Sequence, residues 1–556
     1  MKRIISFILL LILILSISGC NNNTSNNNQP DDNDNNEIIK SNYFGDKYSI
    51  SNEDFYKNFS NDEKELYYKL WDEDVKISLY VDISGYELSK IDEAYDDYRN
   101  GNSYKADTYR KCNLKIVVNS KEFYFEEVGI RMRGNTSRKE FCDESGNIFD
   151  FVHFRFSLTE TFDGEEYQAG SWAEELYHEW TETNARKERK NRTFATMEKF
   201  YYKWNKNYDN TYIREVYANR MFSAFGILAP HITVANLNLS QNGKMENMGV
   251  GGFYETIDKE FIKRNFDTTT KGGDLYKCTY RADFTSASNY GVETPTQRFA
   301  YSLKTNNDRS APDYKHNKDF KNFISVLQKS SYDDDFKSSI ENVIDMDYFA
   351  RFEAVNYLLG NPDCIRNNAN NFYLYFTPEG KGFLIPYDYD RCLGINQDYN
   401  PSGNGMMYED PFSIYTPNGK LTNPLYLKTI LNNGMTEYKT LFIEKIKEVL
   451  DSKWFTYDHF KNIYLSYKKN YSMLAKPSEY ICNKIDGRIN YNRFYFSEDG
   501  ASQNEYSSTN HNISTSDYMR IKRETIIKIL WFNIRVFLFQ MLLLILHYYT
   551  YHYHIS

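Results

Sequence analysis

In the first half of this chain apolar and polar positions alternate. Ile77-Ser78-Leu79-Tyr80-Val81, Leu114-Lys115-Ile116-Val117-Val118 and Val128-Gly129-Ile130-Arg131-Met132-Arg133 have the two-residue period of half-buried strands. His153 to Leu158 repeats it, and Thr233 to Leu237 and Gly251 to Glu255 read as further strands. Ahead of them, Phe55, Phe59, Leu66 and Leu70 recur at helical spacing and predict a helical lead-in over about 45–75. Ile213, Val216, Tyr217, Met221 and Phe225 form one face of a helix that Gly226 would stop. Further on the helical period dominates. Residues 320–327, 340–359 and 438–450 read as helices around a hairpin of Phe372–Tyr375 and Phe383–Pro386. Strands followed by helices predict an α+β fold. The charged stretch from Trp172 to Arg192 lacks apolar periodicity and reads as an exposed insertion.

The two ends follow other patterns. Lys2-Arg3, an apolar run from Ile4 to Ile17 and then Ser18-Gly19-Cys20 have the three regions of an export signal. The run is shorter than the roughly 20 residues that a spanning helix needs. Cys after Ser-Gly is similar to a bacterial lipoprotein box, which implies lipidation of Cys20 and a chain anchored to the outer, extracytoplasmic face of the cell membrane. Residues 1–19 would be the signal peptide. Residues 20–44, rich in Asn and Asp, would be a disordered tether. At the other end, the apolar stretch over 524–548 is interrupted by Lys528, Asn533, Arg535 and Gln540, which favours an amphipathic surface helix or a docked helix over a spanning one. Residues 521–556 form this tail.

Removing the signal shifts the formal charge from −9 to −9 − 2 = −11. So acidic a chain argues against sequence-independent nucleic-acid binding, which depends on Lys and Arg neutralising phosphates. Cys112, Cys142, Cys278, Cys364, Cys392 and Cys482 include no close pair, which excludes a CxxC zinc site. Buried free thiols are expected, with a Cys364–Cys392 bridge as the alternative that an exported location permits.

The chemistry concentrates between Asn361 and Asp390. Asp363 is followed five residues later by Asn368, then by Asn371, a strand, and Asp388-Tyr389-Asp390. A kinase-type site orders its base and its metal ligands this way: a loop Asp accepts the proton of the acceptor hydroxyl, while an Asn and a later Asp hold Mg²⁺. Asn361-Pro362 stand where the protein-kinase catalytic loop has His-Arg. Spacing alone would equally suit an Asn/Asp-rich turn, whose side chains bond their own backbone.

Further segments carry a resemblance. Ile130-Arg131-Met132-Arg133-Gly134-Asn135-Thr136-Ser137, Tyr201-Tyr202-Lys203 leading into Tyr212-Ile213-Arg214-Glu215, Gly252 to Lys259, Gly273-Asp274-Leu275-Tyr276-Lys277 and the two aspartate segments occur in order over roughly 75–400. Together they resemble the spore-coat protein H (CotH) kinase family. The resemblance implies an atypical bilobal protein-kinase-like fold over 45–520, with a mixed or antiparallel sheet in an N-lobe (about 75–260) and a mostly helical C-lobe (about 261–520). It also implies ATP with Mg²⁺ or Mn²⁺, Asp363 as catalytic base, and Asp388, Asn371, Asn368 and Asp390 around the metal. Lys203, with Lys199 as its rival, would pair with Glu215 over the nucleotide phosphates. Arg131, Arg133 and Lys277 would contact phosphate, and Tyr387, where the family often has Trp, would stack on adenine. Asn367 is expected to be a loop residue without chemistry. The expected partner is a protein substrate at the surface or coat. A non-catalytic adhesion or coat-assembly module on the same fold is the competing class.

Overall fold

Seven strands close into a barrel: β1 (Ile77–Asp82), β2 (Arg110–Val118), β3 (Lys121–Arg133), β4 (His153–Ser157), β5 (Lys199–Trp204), β6 (Ile232–Gln241) and β7 (Lys244–Glu255). The computed structural model describes residues 53–101, 108–134, 137–162, 189–207, 209–266, 273–294, 297–305, 317–395, 406–416, 419–431, 433–485, 494–498 and 513–531. Around the barrel the order is β1-β2-β3-β4-β5-β7-β6. Neighbours are antiparallel except β1 and β6, which run parallel with Leu79 opposite Leu237 and shut the ring. The expected sheet is therefore a barrel. Closure removes the unpaired edges that an open sheet would expose.

Alternation gives each strand two uses. Val128, Ile130, Met132, Phe154, Phe156, Phe200, Tyr202 and Phe253 fill one core. Leu70 and Trp71 of the lead-in and Ile481, Ile485 and Phe494 from far along the chain pack into it as well. Arg131, Arg133, His153, Arg155, Lys199, Tyr201 and Lys203, at the opposite parity on β3, β4 and β5, leave that core and line a cleft.

A second sheet lies beyond the barrel. It comprises β8 (Asp274–Cys278), β9 (Tyr290–Gly291), β10 (Tyr301–Leu303), β11 (Phe372–Phe376) and β12 (Gly382–Pro386), in the order β12-β11-β8-β10-β9. The expected hairpin is β11–β12, with Tyr373 opposite Ile385 on one side and Lys277 on the other. The helices include α1 (Asn61–Lys69), α2 (Gly85–Arg99), α3 (Arg214–Ala224), α4 (Lys259–Asn265), α5 (Lys318–Gln328), α6 (Phe336–Val343), α7 (Met346–Leu359), α8 (Ile365–Asn368), α9 (Thr436–Asp451) and α10 (Tyr457–Tyr471). Helices α3, α5, α6, α7, α9 and α10 share the larger core with this sheet.

Two helical expectations are corrected. The lead-in is one turn at Glu53–Tyr56 followed by α1, which Ser60 caps by accepting from the Glu63 amide at 3.2 Å. The helix expected over 340–359 is two. Asp345 leaves the helical path, and its carboxylate accepts from the Asp347 and Tyr348 amides at 3.0 Å each, starting α7 afresh. A cap of this kind contributes about 1 kcal/mol. Gly360 ends α7 in the left-handed conformation, φ 63°, where an added side chain would strike the Tyr518 hydroxyl.

That Tyr518 belongs to a helix described over 515–531, with Tyr518, Met519, Lys522 and Ile526 buried. Of the two options for the tail, this part is docked. Among the described residues no helix is long and apolar enough to cross a membrane. The six cysteines after Cys20 are buried free thiols, with no Cys364–Cys392 bridge. Cys20, the 1–19 signal, the 20–44 tether, Asn135-Thr136, most of the 172–192 insertion and residues 532–556 lie outside the described residues.

Candidate active site

Lys203 sits among three carboxylates. It comes from the end of β5, Glu215 from the first turn of α3, and Asp388 and Asp390 follow β12. The Lys203 Nζ is 3.1 Å from Glu215 Oε2 and 2.8 Å from Asp390 Oδ2, and it also bonds Asp388 Oδ1. Glu215 therefore pairs with Lys203, while Lys199 lies four residues back along β5. Tyr254, on the neighbouring strand β7, donates its hydroxyl to Glu215 at 2.5 Å. One ammonium against three acids leaves the cluster negative.

Burial would lower the Lys203 pKa, but Asp388, Asp390 and Glu215 hold it well above the usual value. Burial pushes Glu215 up to about 7; Lys203 pulls it down, and Asp390 and Asp388 oppose that pull. Burial would also raise Asp388, yet Lys203 brings it down to about 2. His153 is buried beside them and held well below its usual value, by burial first and then by Lys203, so it is neutral, with Nδ1 lacking a hydrogen-bond partner.

Glu215, Asp388 and Asp390 each offer an oxygen, all within 4.8 Å of one another. An all-carboxylate donor set with excess negative charge suits a hard divalent cation such as Mg²⁺ or Mn²⁺. Asp388 is held at φ 63°, a left-handed conformation costing a non-glycine residue on the order of 1 kcal/mol or more. Its carbonyl accepts from Asn361 Nδ2 at 3.3 Å, tying it to the loop that carries Asp363.

That loop is built from asparagines. Asn361 Oδ1 accepts from the Asp363 amide at 2.9 Å. Asn368 and Asn370 donate to Asp363 Oδ1 at 2.8 and 3.0 Å, and Asn371 Nδ2 donates to the Asp363 carbonyl at 2.9 Å. Two amides thus fix the orientation of the Asp363 carboxylate. The Asn368 and Asn371 amide nitrogens are turned to Asp363, so their amide oxygens are what they have left for a cation. Asn367 braces the loop through the Asn361 carbonyl at 3.0 Å.

A cleft of about 1550 Å³ joins these parts. Arg131, Arg133, Lys203, Lys277, Asp363, Asn368, Asn371, Tyr387, Asp388 and Asp390 line it, and Glu215 lies in an adjoining recess with Lys203 and Asp390. Tyr387 accepts a hydrogen bond from Arg133 Nη2 at 2.7 Å. The Arg133 guanidinium also lies 3.3 Å from the centre of the Tyr201 ring. Lys277 Nζ is 4.8 Å from the centre of the Tyr387 ring, and Arg133 is 5.7 Å from it. Burial would raise the Tyr387 phenol, but Arg133 and Lys277 hold it low.

Sequence reading missed His153, Arg155, Tyr201 and Tyr254. The first three sit at the parity of Arg133 and Lys203 on adjacent strands, which register alone could have flagged. It also missed that Glu215 completes the carboxylate cluster.

A family model described as CotH kinase protein matches residues 169–508. The Ile130–Ser137 segment lies before that match. The crystal structure of the Helicobacter pylori proinflammatory kinase CtkA is 14% identical, with a TM-score of 0.24, covering 59% of this chain and 91% of that one. Among curated proteins no match was found.

Proposed function

The chain belongs to the CotH kinase family, and from that premise we propose that it is a membrane-anchored extracytoplasmic protein kinase, which moves the γ-phosphate of ATP onto a hydroxyl of a surface or coat protein. The observation that carries this reading is Lys203 bonded to Glu215, Asp388 and Asp390 in one cleft with an oriented Asp363. The barrel and the larger core serve as the two lobes. The export-type N-terminus ending at Cys20 supports the location.

In phosphoryl transfer the protein's work is positioning and charge. Asp388 and Asp390 would hold Mg²⁺ or Mn²⁺, with Glu215 and the Asn368 and Asn371 amide oxygens at hand; the ion neutralises phosphate charge. Lys203, kept cationic by its neighbours, binds phosphate oxygens. Arg131, Arg133 and Lys277 add positive charge along the cleft. Asp363, held by Asn368 and Asn370, orients the acceptor hydroxyl and takes its proton as the new oxygen–phosphorus bond forms and the β–γ bridging bond breaks.

The test is transfer of labelled γ-phosphate by the purified protein in Mg²⁺ or Mn²⁺. Asp363→Asn should lower kcat by roughly 10²–10⁴ with ATP affinity within a few-fold. Asp388→Asn should instead weaken metal-dependent ATP binding. A parent that neither binds ATP with metal nor transfers phosphate to any acceptor would establish the non-catalytic surface module.

A further inference from the structure

We infer that the segment from Ile513 to Ile526 is a positioning strap for the active site, with Thr515 setting Glu215 through Arg214 and Tyr518 setting the Asp363 loop through the end of α7. This rests on the kinase reading above and names what holds that site in register.

The strap lies beyond the residues 169–508 that match the family model. Ser514 starts its helix by accepting from the Asp517 amide at 3.1 Å, and Thr515, Tyr518, Lys522 and Ile526, spaced three or four residues apart, are completely buried. One face is therefore docked. On the outer face Arg520 pairs with Asp517 at 3.0 Å and with Glu524 at 3.2 Å.

The docked face reaches the three segments that carry the chemistry. Arg214, fully buried and one residue before Glu215, donates from Nε to Thr515 Oγ1 at 2.8 Å while its Nη1 pairs with Asp209 at 2.9 Å. Asp209 also accepts from the Arg214 amide at 3.0 Å, so Thr515 and Asp209 together hold the first turn of α3. The Ile513 amide donates at 2.9 Å to the carbonyl of Gly394, four residues after Asp390. Gly394 has φ 99°, and an added Cβ would lie 2.6 Å from the Ile513 carbonyl oxygen, so this approach requires glycine. Tyr518 donates at 3.2 Å to the carbonyl of Leu358, three residues before the Asn361 that accepts from the Asp363 amide. Lys522 donates to the Met406 carbonyl, and Met406 Sδ accepts from Asn367 of the same loop at 3.3 Å.

A helix that served packing alone would need only its apolar side chains. Here Thr515, Tyr518 and Lys522 are buried as well, and their desolvation is offset by hydrogen bonds to segments that bear or brace the site. The two main ties act on different groups. Glu215 bonds Lys203 at 3.1 Å, so a shift in the first turn of α3 disturbs the cluster that would hold metal and phosphate. A shift at the end of α7 instead misplaces the Asp363 carboxylate. Thr515 therefore governs nucleotide binding and Tyr518 governs turnover.

The experiment reads ATP binding in Mn²⁺ by calorimetry, kcat by label transfer and amide hydrogen exchange, all in the full-length protein. Thr515→Val keeps the shape and removes the acceptor for Arg214; ATP should bind about tenfold more weakly, the weight of one hydrogen bond to a charged group, and Thr515→Ser should restore it. Tyr518→Phe should lower kcat about fivefold with ATP affinity unchanged. Arg523→Gln unties the same helix from the Leu450 and Phe455 carbonyls and should leave both quantities at parental values. Equal losses in Thr515→Val, Tyr518→Phe and Arg523→Gln overturn the strap, since weakened docking alone would produce them. So do parental affinity and kcat in both Thr515→Val and Tyr518→Phe. Exchange is read without turnover: it should quicken over residues 214–218 in Thr515→Val and over 361–368 in Tyr518→Phe. That pattern in a protein that transfers no phosphate supports the strap while refuting the kinase reading. Unchanged exchange in both variants overturns the strap.

Discussion

Two buried clusters in this protein are made from the same ingredients and behave differently. Lys203 faces Glu215, Asp388 and Asp390; Arg366 faces Glu353 at 3.1 Å and Glu409 at 2.8 Å. The Arg366 cluster is sealed, its three side chains 0–2% exposed. It is also saturated: Tyr426 and Asn356 donate to Glu353 at 2.6 and 2.8 Å, and Arg366 Nη2 donates to the Pro411 carbonyl at 3.0 Å. In the Lys203 cluster the Asp388 and Asp390 side chains remain 36% and 23% exposed, and three acids share one cation. A closed, satisfied network fixes structure, whereas an open and unbalanced one is left able to take up a ligand. The two are joined through one loop, since Arg366 lies three residues after Asp363.

The largest effect expected from this contrast is on stability. Arg366→Met would leave Glu353 and Glu409 buried without a counter-charge, a loss of about 3–5 kcal/mol. Lys203→Met leaves carboxylates that water and cations can still reach, so its cost should be well below that. Denaturant unfolding of both variants checks the ranking. Equal destabilisation would erase the distinction between a structural and a chemical cluster.

How much of this was legible in the sequence follows from distance along the chain. Asp363 and Asp388 could be singled out from their spacing, and Lys203 and Glu215 from the segments that carry the family resemblance. The barrel strands were visible one by one, but closure depends on β1 pairing in parallel with β6, and no local pattern encodes that. Nor does any pattern announce that Ile481, Ile485 and Phe494 return to the barrel core. The break at Asp345 was readable in principle, as an Asp ahead of a fresh apolar run. The placement of Arg155 and His153 in the cleft depends on cross-strand register, which becomes available only once the strands are paired.

A second prediction sharpens the open cluster through pH. Glu215 sits at about 7, above its ordinary 4.5, because burial and two neighbouring acids favour its proton. The native state holds that proton through the window from 4.5 to about 7, so this group's contribution to stability is present at acid pH and is lost as pH rises through 7. Asp388, depressed to about 2, runs oppositely: its contribution is present above 3.8 and lost as pH falls toward 2. The ion pair with Lys203 needs ionised Glu215. In the free enzyme kcat/KM should therefore fall up to about tenfold per pH unit below 7. Glu215→Gln should lower the plateau and remove this limb. A parent profile already flat between pH 5 and 7 would mean that Glu215 is ionised throughout.

The smallest effect concerns the sealed cluster and the helix docked against it. Lys522 is buried, donates to the Met406 carbonyl at 2.6 Å, and lies 3.5 Å from the centre of the Tyr357 ring. Burial pushes its pKa down to about 7, with Glu409 resisting and Arg366 assisting. A lysine depressed in the folded state binds fewer protons there than in the unfolded chain between pH 7 and 10.5. Stability should therefore rise with pH across that window, by up to about 1.4 kcal/mol per unit, and this gain is lost as pH falls to 7. Lys522→Met keeps an unbranched stem against Tyr357 and removes the titration. The change should be neutral to stabilising at pH 7, by about 1 kcal/mol, as replacements of buried charges often are. Denaturant midpoints at pH 7, 8 and 9 should climb in the parent and stay level in the variant. Parallel slopes would mean that Lys522 remains charged in the core, where it would balance the second carboxylate of the sealed cluster and set it further apart from the open one.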